Sequence, residues 1–227
     1  TQLAFRDRDV AIADPRHGAI PVERLLAKTY AGELAAGIDP DRALPALPPP
    51  LLPAHKDTIY LTVIDRDGNA CSFINSIYYY FGSAVVVPGT GLVLQNRGAG
   101  FTLEEGHPNR LGPNKRPFHT IIPAFLTRDG RPWVSFGVMG GATQPQAHAQ
   151  IIVNLVDFGM NLQEAGDAAR VNHQGSSSPT GTTMTDGGVV HLESGFSEAT
   201  RQELERRGHT LGSSDGSFGG YQAIMFD

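Results

Sequence analysis

The chain carries a single cysteine, Cys71, which excludes an internal disulfide framework and a cysteine-rich zinc site. It has no apolar run of about eighteen residues, so no transmembrane helix is expected. Its 18 Lys and Arg face 23 Asp and Glu, for a net charge of -5, and the basic residues form no block. The electrostatic footprint of a nucleic-acid binder is therefore missing. The eight histidines are scattered without an HExxH or an i,i+4 pair, so neither a metal nor another cofactor is expected. GVMGGATQ lacks the Lys and the GK[ST] ending of a phosphate loop, and no GxSxG nucleophile elbow occurs. What is abundant is glycine (27) and proline (16), in a 227-residue chain that is 40% hydrophobic and 18% charged. That composition describes an ordinary globular protein with many tight turns. The chain opens on TQLAFRDRDVAIADP, which reads as the end of a helix, and stops inside the strand-like YQAIMFD. It reads as a fragment, and its compartment stays open.

Hydrophobic spacing predicts a helix over the first dozen residues, ended by Asp14-Pro15, and a second from Pro21 to Gly37. Ile38 to Lys56 is rich in proline and without period, and reads as a mobile connector. Then β-branched residues take over. Thr58–Ile64 and Ala70–Tyr80 form a hairpin about Asp67-Gly68, and Ala84–Val87 and Gly91–Leu94 add short strands. Gln95 to Pro117 is a long loop of the kind that carries function. A hairpin over His119–Leu126 and Trp133–Val138 runs through Gly140-Gly141 into a helix from about Gln144 to Phe158. Asn161, with Glu164 three residues on, caps the next helix, and Ser194 or Ser197 opens a late one. Strands at His209–Leu211 and Tyr221–Phe226 close the chain. Helices covering antiparallel sheet predict an α+β fold. Cys71 is expected as buried filler on the second strand.

Thr58 stands between the connector and the first strand. A threonine hydroxyl is a weak nucleophile without a base. At a freshly cut N-terminus it has one, because an α-amine of pKa about 8 can take the hydroxyl proton. Such a device needs a cleavable bond (Asp57-Thr58), mobility before it and a rigid strand after it, and all three are in place. The pattern alone is a weak signal, since many strands simply begin with a threonine after a loop.

DTIYLTVIDRDGNACS resembles the segment that begins the small subunit of the γ-glutamyltransferases (γ-glutamyltranspeptidases). QLAFRDRDVAIADP is similar to the end of that family's large subunit. PGTGLVLQNR, LGPNKRPFHTIIPAF and GVMGGATQPQAHAQIIVNLVDFGMN follow in the family's order, as do Leu162, Glu164-Ala165, Ala168 and Arg170. Several motifs in one order are far more specific than any one of them. The resemblance implies an N-terminal nucleophile (Ntn) hydrolase fold, a four-layer αββα sandwich with antiparallel sheets. It implies that residues 1–57 end a large-subunit region and that 58–227 form the small-subunit catalytic region. It also implies self-cleavage of Asp57-Thr58 into two associated chains, as a heterodimer or a dimer of heterodimers, acting on a small γ-glutamyl or related amide.

Carried over residue by residue, Thr58 is the nucleophile, Ser76 orients its amine, and Gly140 and Gly141 offer oxyanion N–H groups. The glutamate-binding positions depart from the family. Tyr78 replaces an Asn, Arg97 an acidic or amide residue, Gly100 an Asp, and His119-Thr120 a Ser-Ser pair, while Ile59 follows the nucleophile in place of a second Thr. Tyr78, Arg97, His119 and Thr120 are the candidate substrate-binding residues. Arg97 reads equally as a carboxylate clamp or as a solvated loop arginine. The expected activity is γ-glutamyltransferase-like acyl transfer or hydrolysis. The altered pocket leaves two alternatives: a cephalosporin-acylase-like hydrolase for another acyl group, or a scaffold that has lost catalysis.

Overall fold

The computed structural model describes residues 1–43, 57–176, 178–180, 184, 186–213 and 218–226. In chain order the elements are α1 (Gln2–Ala11), α2 (Val22–Leu26), α3 (Lys28–Ala36), β1 (Asp57–Ile64), β2 (Ala70–Tyr78), a 3-10 turn (Arg97–Gly100), β3 (Ala124–Arg128), β4 (Arg131–Val138), α4 (Thr143–Val156), α5 (Leu162–Asp167), β5 (Val171–Gln174), β6 (Val189–Leu192), α6 (Glu198–Arg206) and β7 (Tyr221–Met225). All strand pairs are antiparallel: β1 with β2, β3 with β4 with β7, and β5 with β6. Among the described residues, no helix is long and apolar enough to cross a membrane.

β4 is the centre of the molecule, and its alternation decides what lies on each side. Val134, Phe136 and Val138 point one way and pack on Ala147, Ile151 and Leu155 of α4 and Ala165 of α5. Ser135 and Gly137 point the other way, toward the β1–β2 hairpin. There Thr62 Oγ1 meets Ser135 Oγ at 2.6 Å. The Tyr60 ring lies so close over Gly137 that a Cβ there would come within 2.5 Å of it. The order is helices, three-stranded sheet, hairpin. The outer face of the hairpin leaves Ile59, Leu61, Val63 and Phe73 exposed.

Local signals explain most boundaries. Asn161 and Glu164 form the expected capping box, with both reciprocal bonds at 2.9 Å. Ser197, not Ser194, caps α6. Other expectations are corrected. The single helix expected from Pro21 to Gly37 is two helices, broken at Ala27, whose backbone is extended. Neither piece buries a residue, so no packing holds the apolar stripe on one axis. The strand expected from His119 begins only at Ala124, because Pro123 cannot donate to a ladder and Ile122 N–H is taken by the Gln144 side chain. The short strands around Gly89 and Gly91 reduce to one bridge, Val86 to Val93, and His209–Leu211 to a bridge from Leu211 to Val190. β5 and β6 were not expected. Cys71 is exposed, because it pairs with the exposed Val63 on the outer face of the hairpin. Residues 44–56 of the expected connector lie outside the described residues.

Candidate active site

Thr58 sits at an irregularity. Asp57 pairs with Tyr78 but Ile59 pairs with Asn75, so Ser76 and Ile77 together oppose Thr58. A bulge of this kind bends the strand and re-aims side chains. β1 runs without a break through Asp57-Thr58, so the geometry is that of the uncut chain. Thr58 Oγ1 is buried and has no hydrogen-bond partner among the described residues. A hydroxyl left so costs about 1–3 kcal/mol.

Strand periodicity puts Thr58 on the same face as Tyr60 and Thr62. Those two lie against Gly137 and Ser135, so stepping back along β1 means stepping forward along β4. The same direction leads along β4 past Val138 to Met139 and Gly140-Gly141. The two glycines have φ of 129° and 60°, a left-handed turn that other residues adopt only under strain. Their carbonyls accept from Thr143 and Gln144 N–H at 3.1 Å each, which turns the chain into α4. Neither glycine amide donates to a described residue. The pair is therefore a set of free N–H groups at the positive end of a 14-residue helix.

Two contacts hold this turn. Met139 N–H donates to Gly220 O at 3.2 Å, and Gly219 Cα lies 3.4 Å from where a Gly140 Cβ would be. Gly219 and Gly220 thus pack on this turn, while residues 214–217 lie outside the described residues. From the helix side, His148 Nε2 accepts from Val138 N–H at 3.0 Å. This histidine is 7% exposed, and burial lowers its pKa to about 4. It is the neutral Nδ1–H tautomer, since Nε2 must accept. Pattern reading treated it as an unremarkable histidine. The available signal was its place four residues after Gln144, on the buried face of α4.

At the far end of β2, Ser76 Oγ accepts from Tyr78 N–H at 3.0 Å. Tyr78 is buried with φ of 84°, a strained state for a non-glycine residue that usually marks a functional turn. Burial, and then its neighbour Tyr79, push the Tyr78 hydroxyl above its ordinary range. The Arg97 guanidinium lies 5.2 Å from the Tyr78 ring centroid. Arg97 is 8% exposed, which removes the solvated-loop alternative. Much of His119 is open to solvent, yet the buried part of its ring, then Arg97 and Arg116, lower its pKa. Thr120 is buried beside it.

Gln144 was also missed. It is fully buried, accepts from Ile122 N–H at 3.1 Å, and leaves its Nε2 without a partner among the described residues. It ties the His119–Ile122 segment to the first turn of α4. No cluster of three or more His, Cys, Asp or Glu among the described residues is placed to hold a metal.

The family model described as Gamma-glutamyltranspeptidase matches residues 1–227. The chain belongs to the γ-glutamyltranspeptidase family. It is 41% identical over 227 residues to the glutathione hydrolase-like YwrD proenzyme of Bacillus subtilis, covering 99% of this chain and 41% of that protein. It is 44% identical over 169 residues to the oxamate amidohydrolase proenzyme of Klebsiella pneumoniae, covering 73% of this chain and 31% of that protein. The crystal structure of cephalosporin acylase from Bacillus halodurans superposes with a TM-score of 0.85 at 42% identity, over all of this chain and 39% of that one. The chain thus spans well under half of each relative's length. The fold is the α+β Ntn-hydrolase sandwich, of which the described residues supply one helical layer and both sheet layers.

Proposed function

We propose that this chain contributes the nucleophile half of a self-processing amide acyltransferase or hydrolase of the γ-glutamyltranspeptidase family. The observation that carries the reading is the buried Thr58 hydroxyl, without a partner among the described residues and opposed by Ser76 at the start of β1.

The proposed chemistry has two steps. In maturation, Thr58 Oγ attacks the Asp57 carbonyl carbon, and the Asp57-Thr58 amide becomes an ester. Water then hydrolyses the ester to an Asp57 carboxylate and a free Thr58 amine. In turnover that amine takes the hydroxyl proton as Oγ attacks the substrate amide carbon. Gly140 and Gly141 N–H groups hold the oxyanion, a role worth about 3 kcal/mol per donor. The proton passes to the departing amine, the acyl group stays on Oγ, and water or an acceptor amine releases it. Ser76 orients the Thr58 amine, and Tyr78, Arg97, His119 and Thr120 line the acyl pocket. On this reading residues 1–57 close the large-subunit segment, and the cut chains stay together as a heterodimer, alone or paired.

The names of the relatives support amide chemistry with a variable acyl group: a glutathione hydrolase-like protein, an oxamate amidohydrolase and a cephalosporin acylase. Mass spectrometry of the full-length product is the test. A fragment beginning at Thr58, lost in Thr58→Ala together with all turnover, is expected. A chain that stays intact, or a Thr58→Ala variant of undiminished activity, defeats the reading and leaves the inert scaffold.

A further inference from the structure

The candidate pocket residues are held from two different parts of the chain. Arg97 is fixed from within the region after Thr58. Its neighbour Asn96 donates its N–H to Ile77 O at 3.2 Å and accepts from Tyr79 N–H at 3.1 Å. His119 and Thr120 are held otherwise. They follow Asn114–Phe118, a stretch in neither helix nor strand. On one side Phe118 N–H donates to Asn109 Oδ1 at 2.9 Å, and Asn109 is tied in turn to Gly100 O at 2.6 Å. On the other side the stretch is held by residues that precede the Asp57-Thr58 bond.

Asp14 is the centre of that second hold. None of its side chain is exposed. Its Oδ2 accepts from Arg116 N–H at 2.9 Å, across 102 residues of sequence, and pairs with the Arg116 guanidinium at 3.6 Å. The same carboxylate accepts from Arg16 N–H at 3.1 Å and from Arg16 Nη2 at 2.8 Å. Arg16, oriented in this way, donates to Asn114 O at 3.0 Å, and His17 Nε2 meets that oxygen at 3.1 Å. Farther along, Asp9 of α1 faces His107 at 3.9 Å, and the Arg8 guanidinium lies 5.2 Å from the Phe118 ring centroid. A buried carboxylate is stable only when paired and hydrogen-bonded, and Asp14 finds those partners in the stretch that leads into His119-Thr120. A loop residue keeps a precise place only when supporting hydrogen bonds fix it. Here the support is noncovalent and outlasts a cut at Asp57-Thr58.

We propose that Asp14 is a positioning residue for the acyl pocket: from the upstream side of Asp57-Thr58 it holds Asn114–Phe118 and thereby aims His119 and Thr120 at the acyl group. The inference rests on His119 and Thr120 as pocket residues, and adds that the upstream segment serves substrate binding as well as assembly.

Full-length wild type, Asp14→Ala and Asp14→Asn test it in two ways. In hydrogen exchange, Asp14→Ala should speed exchange of peptides within 114–120 about 10- to 100-fold, the scale for charge-assisted hydrogen bonds, and leave 131–156 unchanged. Asp14→Asn keeps one oxygen for Arg116 N–H and should fall between. It decides alone, with a rise of about 3- to 10-fold, where Asp14→Ala does not fold. Unmoved exchange at 114–120, or a rise spread over the whole molecule, overturns the proposal. For kinetics, glutathione, oxamate and a cephalosporin are offered to each processed protein, and the amide that wild type turns over fastest is followed. Asp14→Ala should raise KM about tenfold and leave kcat within about threefold, with Asp14→Asn between. Lost folded protein alone would lower kcat at constant KM, and that result overturns the positioning role. So does a variant that folds but stays uncut, which would assign Asp14 to maturation. If wild type is cut at Thr58 but turns over none of the three, the exchange data alone decide whether Asp14 holds the stretch. If wild type is never cut, the acyl-transfer reading falls, whatever the exchange shows.

Discussion

His148 offers a pH-dependent test of how the oxyanion turn is held. Its Nε2 accepts from Val138 N–H at the last residue of β4, immediately before Met139-Gly140-Gly141. Protonation abolishes that acceptor and places a charge among Phe136, Val138 and α4. The folded pKa is about 4, against an ordinary value of 6.5, with burial the cause. The folded state thus binds the proton more weakly than the unfolded chain, so His148 favours folding above pH 6.5 and loses that contribution as pH falls toward 4. Linkage gives a relative loss of about 1.4 kcal/mol at pH 5.5 and about 3 kcal/mol by pH 4. The comparison is His148→Gln, whose amide oxygen can accept the same bond and does not titrate. Urea midpoints for both proteins at pH 7.5, 5.5 and 4 should converge as acid is added, with the wild type giving up about 3 kcal/mol more than the variant. Other acid-sensitive groups, Asp14 among them, occur in both proteins and cancel. Parallel stability curves would refute the assignment of a neutral, accepting His148.

Gly137→Ala should destabilise the fold by about 2–3 kcal/mol in denaturant unfolding, because its Cβ would meet the immovable Tyr60 ring at 2.5 Å. Asn109→Ala should cost about 3 kcal/mol, since it strands Gly100 O, Pro179 O and Phe118 N–H in the interior. Ser76→Ala should lower kcat about five- to tenfold with little effect on KM, the loss expected for one hydrogen bond to the attacking group; a KM-only change would instead assign Ser76 to substrate binding.

The parts of the fold legible in the sequence are those set by local chemistry. The Asp67-Gly68 hairpin, the Asn161–Glu164 box and the run from β4 through two glycines into α4 each follow from a few adjacent residues. What escaped depends on partners distant in sequence. β5 and β6 are four residues each, too short to show a period, and exist because they find one another. The break at Ala27 reflects a surface that buries nothing, which no periodicity reveals. Within the candidate site, Thr58 and the glycine pair could be named by position, but the packing of β1 on β4 rests on Tyr60 over Gly137 and Thr62 on Ser135, a face-to-face register between two hairpins. Arg97 could be named but not interpreted, because its burial depends on a loop anchored through Asn96 and Asn109.

The unsatisfied polar atoms are themselves informative by where they fall. Asp9 Oδ1, Thr58 Oγ1, both Arg97 Nη atoms, Gln144 Nε2 and the Tyr221 hydroxyl are all buried without a hydrogen-bond partner among the described residues. Each such group costs about 1–3 kcal/mol, so a fold selected for stability alone would scatter or eliminate them. Thr58 and Arg97 lie at the Thr58–Tyr78 end of the hairpin and Gln144 and Tyr221 near the end of β4, whereas Asp9 lies on α1. Thr58 opposes Ser76, Arg97 stands beside Tyr78, Gln144 opens α4, and Tyr221 pairs with Val138. A candidate nucleophile, a cation and an amide donor are thus left unmet by the described residues. On the proposed reading, local consistency fails at Thr58 because its missing partner is the substrate.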